Sequence, residues 1–407
     1  MRHHSIAAGL IITLALCLVL PFAGKAQTND NHSTDTRTAV LNLMKSRVPR
    51  LSADTTMTAN ELSAWREASA EAMKRLMHHP DKEAAQAKKI GEAARDGYRI
   101  ERWQSYPLEG SAVNFYVLIP NGVDEQNPSR GGVLCIPGFG QTKELLAGER
   151  TGNFTLEGEP DSVLRQAAMA RHFVDKGLVA VAVDNPSFGE LNDNGVNDFL
   201  NTSRILLEQD WNYLGLTSWQ DKVILDWLKE QPYVNRDRII VSGFSLGTEP
   251  LMVLGLLDND IYAFVYNDFL CRTRERIFVM DRPDENGNRP FPNSIEHLIP
   301  GFLVEFDFPD LVAALSPRPV ICTEGGLDRD FRLIGKIYEK AGAPDAFEYH
   351  HYAKYVDPDS RAMKTDADLP GNLDRNEFFR LANVDSPNHY FKSEHIMPWL
   401  DKIMSDN

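Results

Sequence analysis

Ser245 stands inside Gly243-Phe244-Ser245-Leu246-Gly247, directly after the apolar run RIIVS and before LGTEPLMVLGLL, which reads as a helix. Two glycines around a serine at such a junction permit a sharp strand-to-helix turn that lifts the hydroxyl clear of a sheet and leaves backbone N–H groups free beside it. A serine hydroxyl is a weak nucleophile until a base takes its proton and a carboxylate orients that base. Both residue types follow in the order acid, then histidine. Asp328 ends Gly325-Gly326-Leu327-Asp328 in the loop after the strand RPVICTE, where sheets of this kind assemble their sites. It is the expected acid, with Asp268 second and helix capping as its structural alternative. For the base, His350 and His351 fall within a strand, and His395 falls inside a helix. His389 lies in a loop just before that helix and is favoured over His395. An oxyanion needs two donors, expected from the N–H groups of Leu246, next to the serine, and of Phe139 in the glycine-rich Gly138-Phe139-Gly140 that follows GGVLCIP.

Arg272, Arg274 and Arg276 follow the strand YAFVYND, on the rim where a substrate would enter, and are candidates for gripping a uronate carboxylate. Ion pairs with the chain's own acids are the alternative. Trp211, Trp219 and Phe188 are candidate walls for sugar stacking, or else core. No histidine pair has the HExxH spacing of a metalloprotease, so no metal and no cofactor is expected.

These residues need a scaffold, and the chain's periodicity supplies one. Short strands (98–106, 111–120, 131–137) precede an alternation of apolar strands (178–184, 238–244, 262–268, 318–324, 346–352) with helices (162–175, 217–231, 246–257, 331–341, 392–404). That alternation predicts an α/β fold, a mostly parallel sheet covered by helices on both faces. Residues 38–95 read as a helical extension, and three insertions at 186–214, 272–310 and 353–388 read as lids or binding loops.

Arg2, His3 and His4 precede an apolar run from Ile6 to Phe22 and then Gly24-Lys25-Ala26, the pattern of a secretory signal peptide. Its run is short of the ~20 residues of a membrane span, and no later stretch is long and apolar enough. The expected organisation is therefore a signal peptide at 1–26, a polar tail and helical extension at 27–97, and a catalytic domain at 98–407. Export to the periplasm or the cell exterior follows, without stable membrane insertion. The formal charge of −15 disfavours nucleic acid as a partner. Cys135, Cys271 and Cys322 in the mature chain are too few for a disulfide framework and read as buried thiols.

GFSLG, PGFGQTKE, VAVDNPSFGE, FLCRTRERIFVMDRPDENGNRPFPNSIEHLIPGF, PRPVICTEGGLDRDF and the terminal NHYF together resemble the bacterial acetyl-xylan-esterase-like, dienelactone-hydrolase-related branch of the α/β hydrolases. Two features depart from that pattern: the usual GHxF is Asn388-His389-Tyr390-Phe391, and the segment before His389 is enlarged. The resemblance implies an α/β-hydrolase fold, Ser245, Asp328 and His389 on the triad positions, and a carbohydrate ester as substrate, often within polysaccharide-degrading systems. A prolyl-oligopeptidase-like peptidase is the rival enzyme class, disfavoured because the N-terminal extension is too short for a β-propeller. A catalytically silent glycan-binding hydrolase fold is the non-enzyme rival.

Overall fold

The computed structural model describes residues 34–81, 85–150 and 160–405. The segment expected to be a signal peptide lies outside them. Among the described residues no helix is long and apolar enough to cross a membrane. Contacts divide the chain at Arg47. On the N-terminal side, helix Thr36–Ser46 is capped by the Asp35 side chain, which accepts from the Arg37 N–H. Residues 48–407 make up one compact unit.

That unit is built on a nine-stranded sheet: β1 (Ala85–Arg95), β2 (Tyr98–Tyr106), β3 (Val113–Pro120), β4 (Gly132–Ile136), β5 (Val179–Ala182), β6 (Ile239–Phe244), β7 (Ala263–Asn267), β8 (Val320–Cys322) and β9 (Phe347–Tyr349), in the order β1-β2-β3-β5-β4-β6-β7-β8-β9. β1, β2, β3 and β5 pair antiparallel in succession, and β5-β4-β6-β7-β8-β9 are all parallel. Successive side chains of a strand point to opposite faces, so the buried central strands divide their residues between two cores. Leu134, Val181, Val241, Phe264 and Val320 join one apolar cluster, while Val133, Ala180, Ile240, Val265 and Ile321 join the other. Helices Ala59–Met77, Tyr213–Lys229, Thr248–Leu257 and Asp328–Lys340 contribute to the first core. Met169–Val174 and Ser393–Ser405 contribute to the second.

The helical extension expected through residue 95 ends at Met77, and residues 85–95 form the edge strand β1. Its alanines, lysines and glutamate favour a helix by propensity. A two-residue turn overrides them, because Arg95 pairs with Tyr98 across Asp96-Gly97, with Gly97 at φ +84°, and Asp-Gly is a strong hairpin signal. Lys89 reaches both Glu92 and Glu101, at 2.5 and 2.8 Å, and charges of this kind blunt an exposed edge. The second and third expected insertions fold against each other. Val279 and Met280 share a satellite core with Leu373, Phe378 and Val384, and the Leu373 N–H donates to the Val279 carbonyl at 2.8 Å.

The loop after β4 is tied down by a buried cation. Lys143 is fully buried, and its Nζ lies 2.8 Å from Asp184, 2.8 Å from Glu144 and 3.0 Å from Glu190, while its backbone N–H also donates to Asp184 at 2.7 Å. Burial pushes Asp184 up to about 6 even with the lysine beside it. Removing the cation would leave three carboxylates facing one another. Lys143→Met should therefore cost about 3–5 kcal/mol in urea unfolding, far more than an exposed lysine change such as Lys364→Met.

Candidate active site

β6 ends at Phe244, and Ser245 takes φ +52°, a left-handed conformation that a residue with a Cβ adopts only under constraint. The constraint is backbone packing on both sides of the serine. A Cβ on Gly243 would stand 2.3 Å from the Gly247 carbonyl oxygen, and one on Gly247 would stand 2.3 Å from that of Ile136 in β4. Only glycine fits at either place. The turn is closed by Thr248, whose Oγ1 donates to the Ser245 carbonyl at 2.7 Å.

The β4 loop runs against this elbow. A Cβ on Gly138 would come within 3.2 Å of the Ser245 Cβ, so glycine there too allows close approach. Gln141 Oε1 accepts the Gly138 N–H at 3.1 Å, and Asn185 Nδ2 donates to the Pro137 carbonyl at 3.0 Å. Phe139 projects from this loop with nearly half its surface exposed, edge-on to Phe188 and Phe199 at 4.9 Å between ring centres.

His389 comes from the loop before the last helix. Its ring stacks on Phe244 at 4.6 Å, and its Nδ1 lies 2.5 Å from Glu324 Oε2. Glu324 is wholly buried just beyond the end of β8, and its other oxygen takes the Tyr390 N–H at 3.1 Å. Asn267 at the end of β7 holds the same loop, accepting from Lys392 N–H at 2.7 Å and donating to the Tyr390 carbonyl at 3.2 Å. Burial alone would lower the His389 pKa, but the hydrogen bond and charge of Glu324 outweigh it and the net shift is upward. With Nδ1 committed to the carboxylate, Nε2 is the ring nitrogen left for a substrate-side proton.

Asp328, the acid expected from the sequence, is engaged elsewhere. It begins helix Asp328–Lys340 and bonds His351 Nε2 at 2.9 Å and Arg361 Nη1 at 2.8 and 2.9 Å. The carboxylate that meets His389 is four residues earlier, at Glu324. Asp268, the second candidate, is close by: single ligand atoms of Asp268, Glu324 and His389 all lie within 4.8 Å of one another. Burial raises Asp268 to about 7 despite the pull of His389, so its charge varies around neutrality. Two carboxylates and an imidazole at that spacing also suit a cation, although one of the three contacts is already the Glu324–His389 bond. His395, the alternative base, sits in helix Ser393–Ser405 stacked on His350 at 4.1 Å.

Ser245, His389, Phe139, Leu246 and Asp268 line one cavity of about 900 Å³, together with Glu249, Arg276, Arg282, Glu296 and His297. A second cavity of about 330 Å³ is also lined by Ser245 and His389, together with Phe139 and Phe391. Of the three candidate arginines only Arg276 reaches the large cavity. Arg272 Nε is spent on buried Asp330 at 2.7 Å, and the Arg274 guanidinium lies 5.8 Å from the Phe278 ring centre. The aromatic wall considered from the sequence is structural. Trp211 Nε1 donates to the Met77 carbonyl at 2.7 Å, Trp219 Nε1 to that of Pro107 at 2.9 Å, and Phe188 is buried against Phe139.

The Abhydrolase family model, that of α/β hydrolases, matches residues 24–402. The chain belongs to this family. A crystal structure from Bacteroides fragilis, described as a "putative acetyl xylan esterase", is 46% identical over 94% of this chain and 97% of its own, with a TM-score of 0.87. A glucuronoyl esterase from Solibacter usitatus (14% identity, 75% of this chain and 92% of that one, TM-score 0.52) and one from Teredinibacter turnerae (16%, 82% and 91%, TM-score 0.50) share the fold. No curated protein matches.

Three outcomes are expected of this geometry. Glu324→Gln should lower kcat/KM by about three orders of magnitude or more, whereas Asp328→Asn should leave it within about tenfold, because Asp328 bonds His351 and Arg361 rather than His389. A base must be neutral to act, and Glu324 is what raises His389. The residual activity of Glu324→Gln should therefore show its acid limb at lower pH than wild type, as a pH profile of kcat/KM would show. For the elbow, Gly243→Ala should destabilise by about 1–3 kcal/mol or more. Gly335→Ala, on a helix with open space around its Cα, should be neutral or slightly stabilising in the same denaturation assay.

Proposed function

We propose that this α/β hydrolase is an exported serine esterase that removes an acyl or methyl group from a plant polysaccharide or its oligosaccharides. The observation that carries the reading is one arrangement: Ser245, held at φ +52° on the elbow, shares a cavity with His389, whose Nδ1 is bonded to buried Glu324. Ser245 Oγ attacks the ester carbonyl while His389 Nε2 takes its proton, and Glu324 orients the ring and stabilises the imidazolium. The N–H groups of Leu246 and Phe139 receive the oxyanion. His389 then returns the proton to the departing alcohol, and water repeats the sequence on the acyl-enzyme.

Two considerations favour a carbohydrate ester within this class. The Bacteroides fragilis relative carries that description at 46% identity over nearly the full length of both chains. A cavity of about 900 Å³ lies at the upper end of small-ligand sites, and an acetyl group would fill little of it. Most of the contact must then be with the alcohol side, the part a sugar would supply. Export rests on the N-terminal apolar segment together with the polymeric nature of such a substrate.

Ser245→Ala should fold as wild type does and lose at least about four orders of magnitude in kcat/KM on a small aryl acetate, with parallel loss on acetylated xylan, methyl-esterified pectin or feruloylated oligosaccharide, whichever the wild type cleaves. Activity within tenfold of wild type would remove Ser245 as the nucleophile. Hydrolysis of peptide anilides in place of all these esters would move the protein to the peptidase class.

A further inference from the structure

The guanidinium groups around the large cavity differ in what neutralises them. Of the three that line it, Arg375 is exposed to solvent, with its guanidinium 5.2 Å from the Phe379 ring centre and no carboxylate oxygen within 4.0 Å among the described residues, while Arg282 spans Asp374 at 3.0 Å and Glu377 at 2.7 Å. Arg276 has no such partner: among the described residues no carboxylate oxygen lies within 4.0 Å of it, although Asp268, Glu249 and Glu296 line the same cavity. Its Nη2 donates to the Pro292 carbonyl at 3.1 Å, and its guanidinium lies 5.8 and 5.6 Å from the ring centres of Phe269 and Phe378. The buried Nε has no hydrogen-bond partner. Arg276 is thus held in place by two rings and one carbonyl without a direct ion pair, although its field reaches Asp268 and His297. A half-buried charge without a counter-ion is costly, and a planar fork with unspent donors suits a carboxylate.

We infer that Arg276 receives a carboxylate carried by the substrate, so that the ester cleaved stands on an oligosaccharide containing a uronic acid. The inference rests on the esterase reading above and narrows its substrate class. A chain of net charge −15 repels acidic glycans at long range, so selecting one requires a cation at the point of contact. Arg276 supplies that cation in the cavity that also holds Ser245 and His389. A lysine in its place would keep the charge but lose the two parallel donors.

The test compares two acetylated xylo-oligosaccharides of equal length, one bearing a glucuronic acid branch and one without. Wild type should favour the acidic substrate in kcat/KM. Arg276→Ala should cut that preference about tenfold or more, mainly through KM, and Arg276→Lys should fall between the two. Raised salt should erode the wild-type preference. In the Ser245→Ala background, calorimetric titration with the deacetylated acidic oligosaccharide should show binding that the neutral one lacks, and that adding Arg276→Ala removes. Equal kcat/KM for the two substrates in wild type, or a preference unchanged in Arg276→Ala, overturns the inference. Should Arg276→Ala not fold, wild-type salt dependence and competition by the free acidic oligosaccharide decide the same question without a variant: a preference indifferent to both overturns it. Hydrolysis of a neutral aryl acetate by wild type, lost in Ser245→Ala, separates the two readings: if it persists while the acidic preference is absent, only the inference falls.

Discussion

Everything at this site depends on the absence of side chains at two points of the backbone. Gly243 lies against the carbonyl of Gly247, and Gly247 against that of Ile136, in each case with room for no Cβ. That close passage draws the elbow onto β4 and forces the turn tight enough to put Ser245 at φ +52°. The strain of roughly 1–3 kcal/mol is borne by a sheet whose β4 and β6 are buried on both faces, so the elbow cannot relax without disturbing two cores. Rigidity of the sheet is thereby converted into a fixed position for one hydroxyl.

The remaining parts reach that hydroxyl from ends of neighbouring parallel strands, the position where such sheets gather their ligands. The loop after β4 is locked through Lys143 and its three carboxylates. Asn267 at the end of β7 and Glu324 just past β8 grip the histidine loop from beneath, each taking a backbone N–H as well as serving other partners. Glu324 therefore has two tasks, orienting the ring and anchoring the chain that carries it. Asp268 adds a carboxyl, pushed up to about 7 by burial, beside the same imidazole, and its charge together with that of Glu324 raises the His389 pKa.

The central architecture was legible because parallel strands buried on both faces write themselves as unbroken apolar runs, and β2 through β8 lie within a few residues of their expected limits. β1 was not, since its composition favours a helix and the fold is decided by Asp96-Gly97 just beyond it. Among the candidate residues, the strand-to-helix turn at Ser245 and the loop placement of His389 follow from local pattern. The acid does not. Glu324 and Asp328 share one loop after β8, and which of them meets His389 is set by tertiary partners: His351 and Arg361 capture Asp328, while the chain at Glu324 is still emerging from the sheet beneath the histidine loop.

The same reasoning separates the arginines, which look alike in sequence as Arg272-Thr-Arg274-Glu-Arg276. Helix Thr273–Val279 rotates successive residues by about 100°, so Arg274 and Arg276, two positions apart, face opposite ways on it, while Arg272 precedes the helix with an extended backbone. Arg272, at the helix cap, turns to the buried Asp330, and Arg276 comes to lie on the cavity side between Phe269 and Phe378. Both phenylalanines depend on the fold of the insertions, Phe378 through the apolar cluster that joins Val279 to the segment before His389. The insertion before His389 therefore helps to build the wall that positions Arg276. A cation so placed owes its orientation to packing rather than to an acid, which leaves its charge available to whatever enters the cavity.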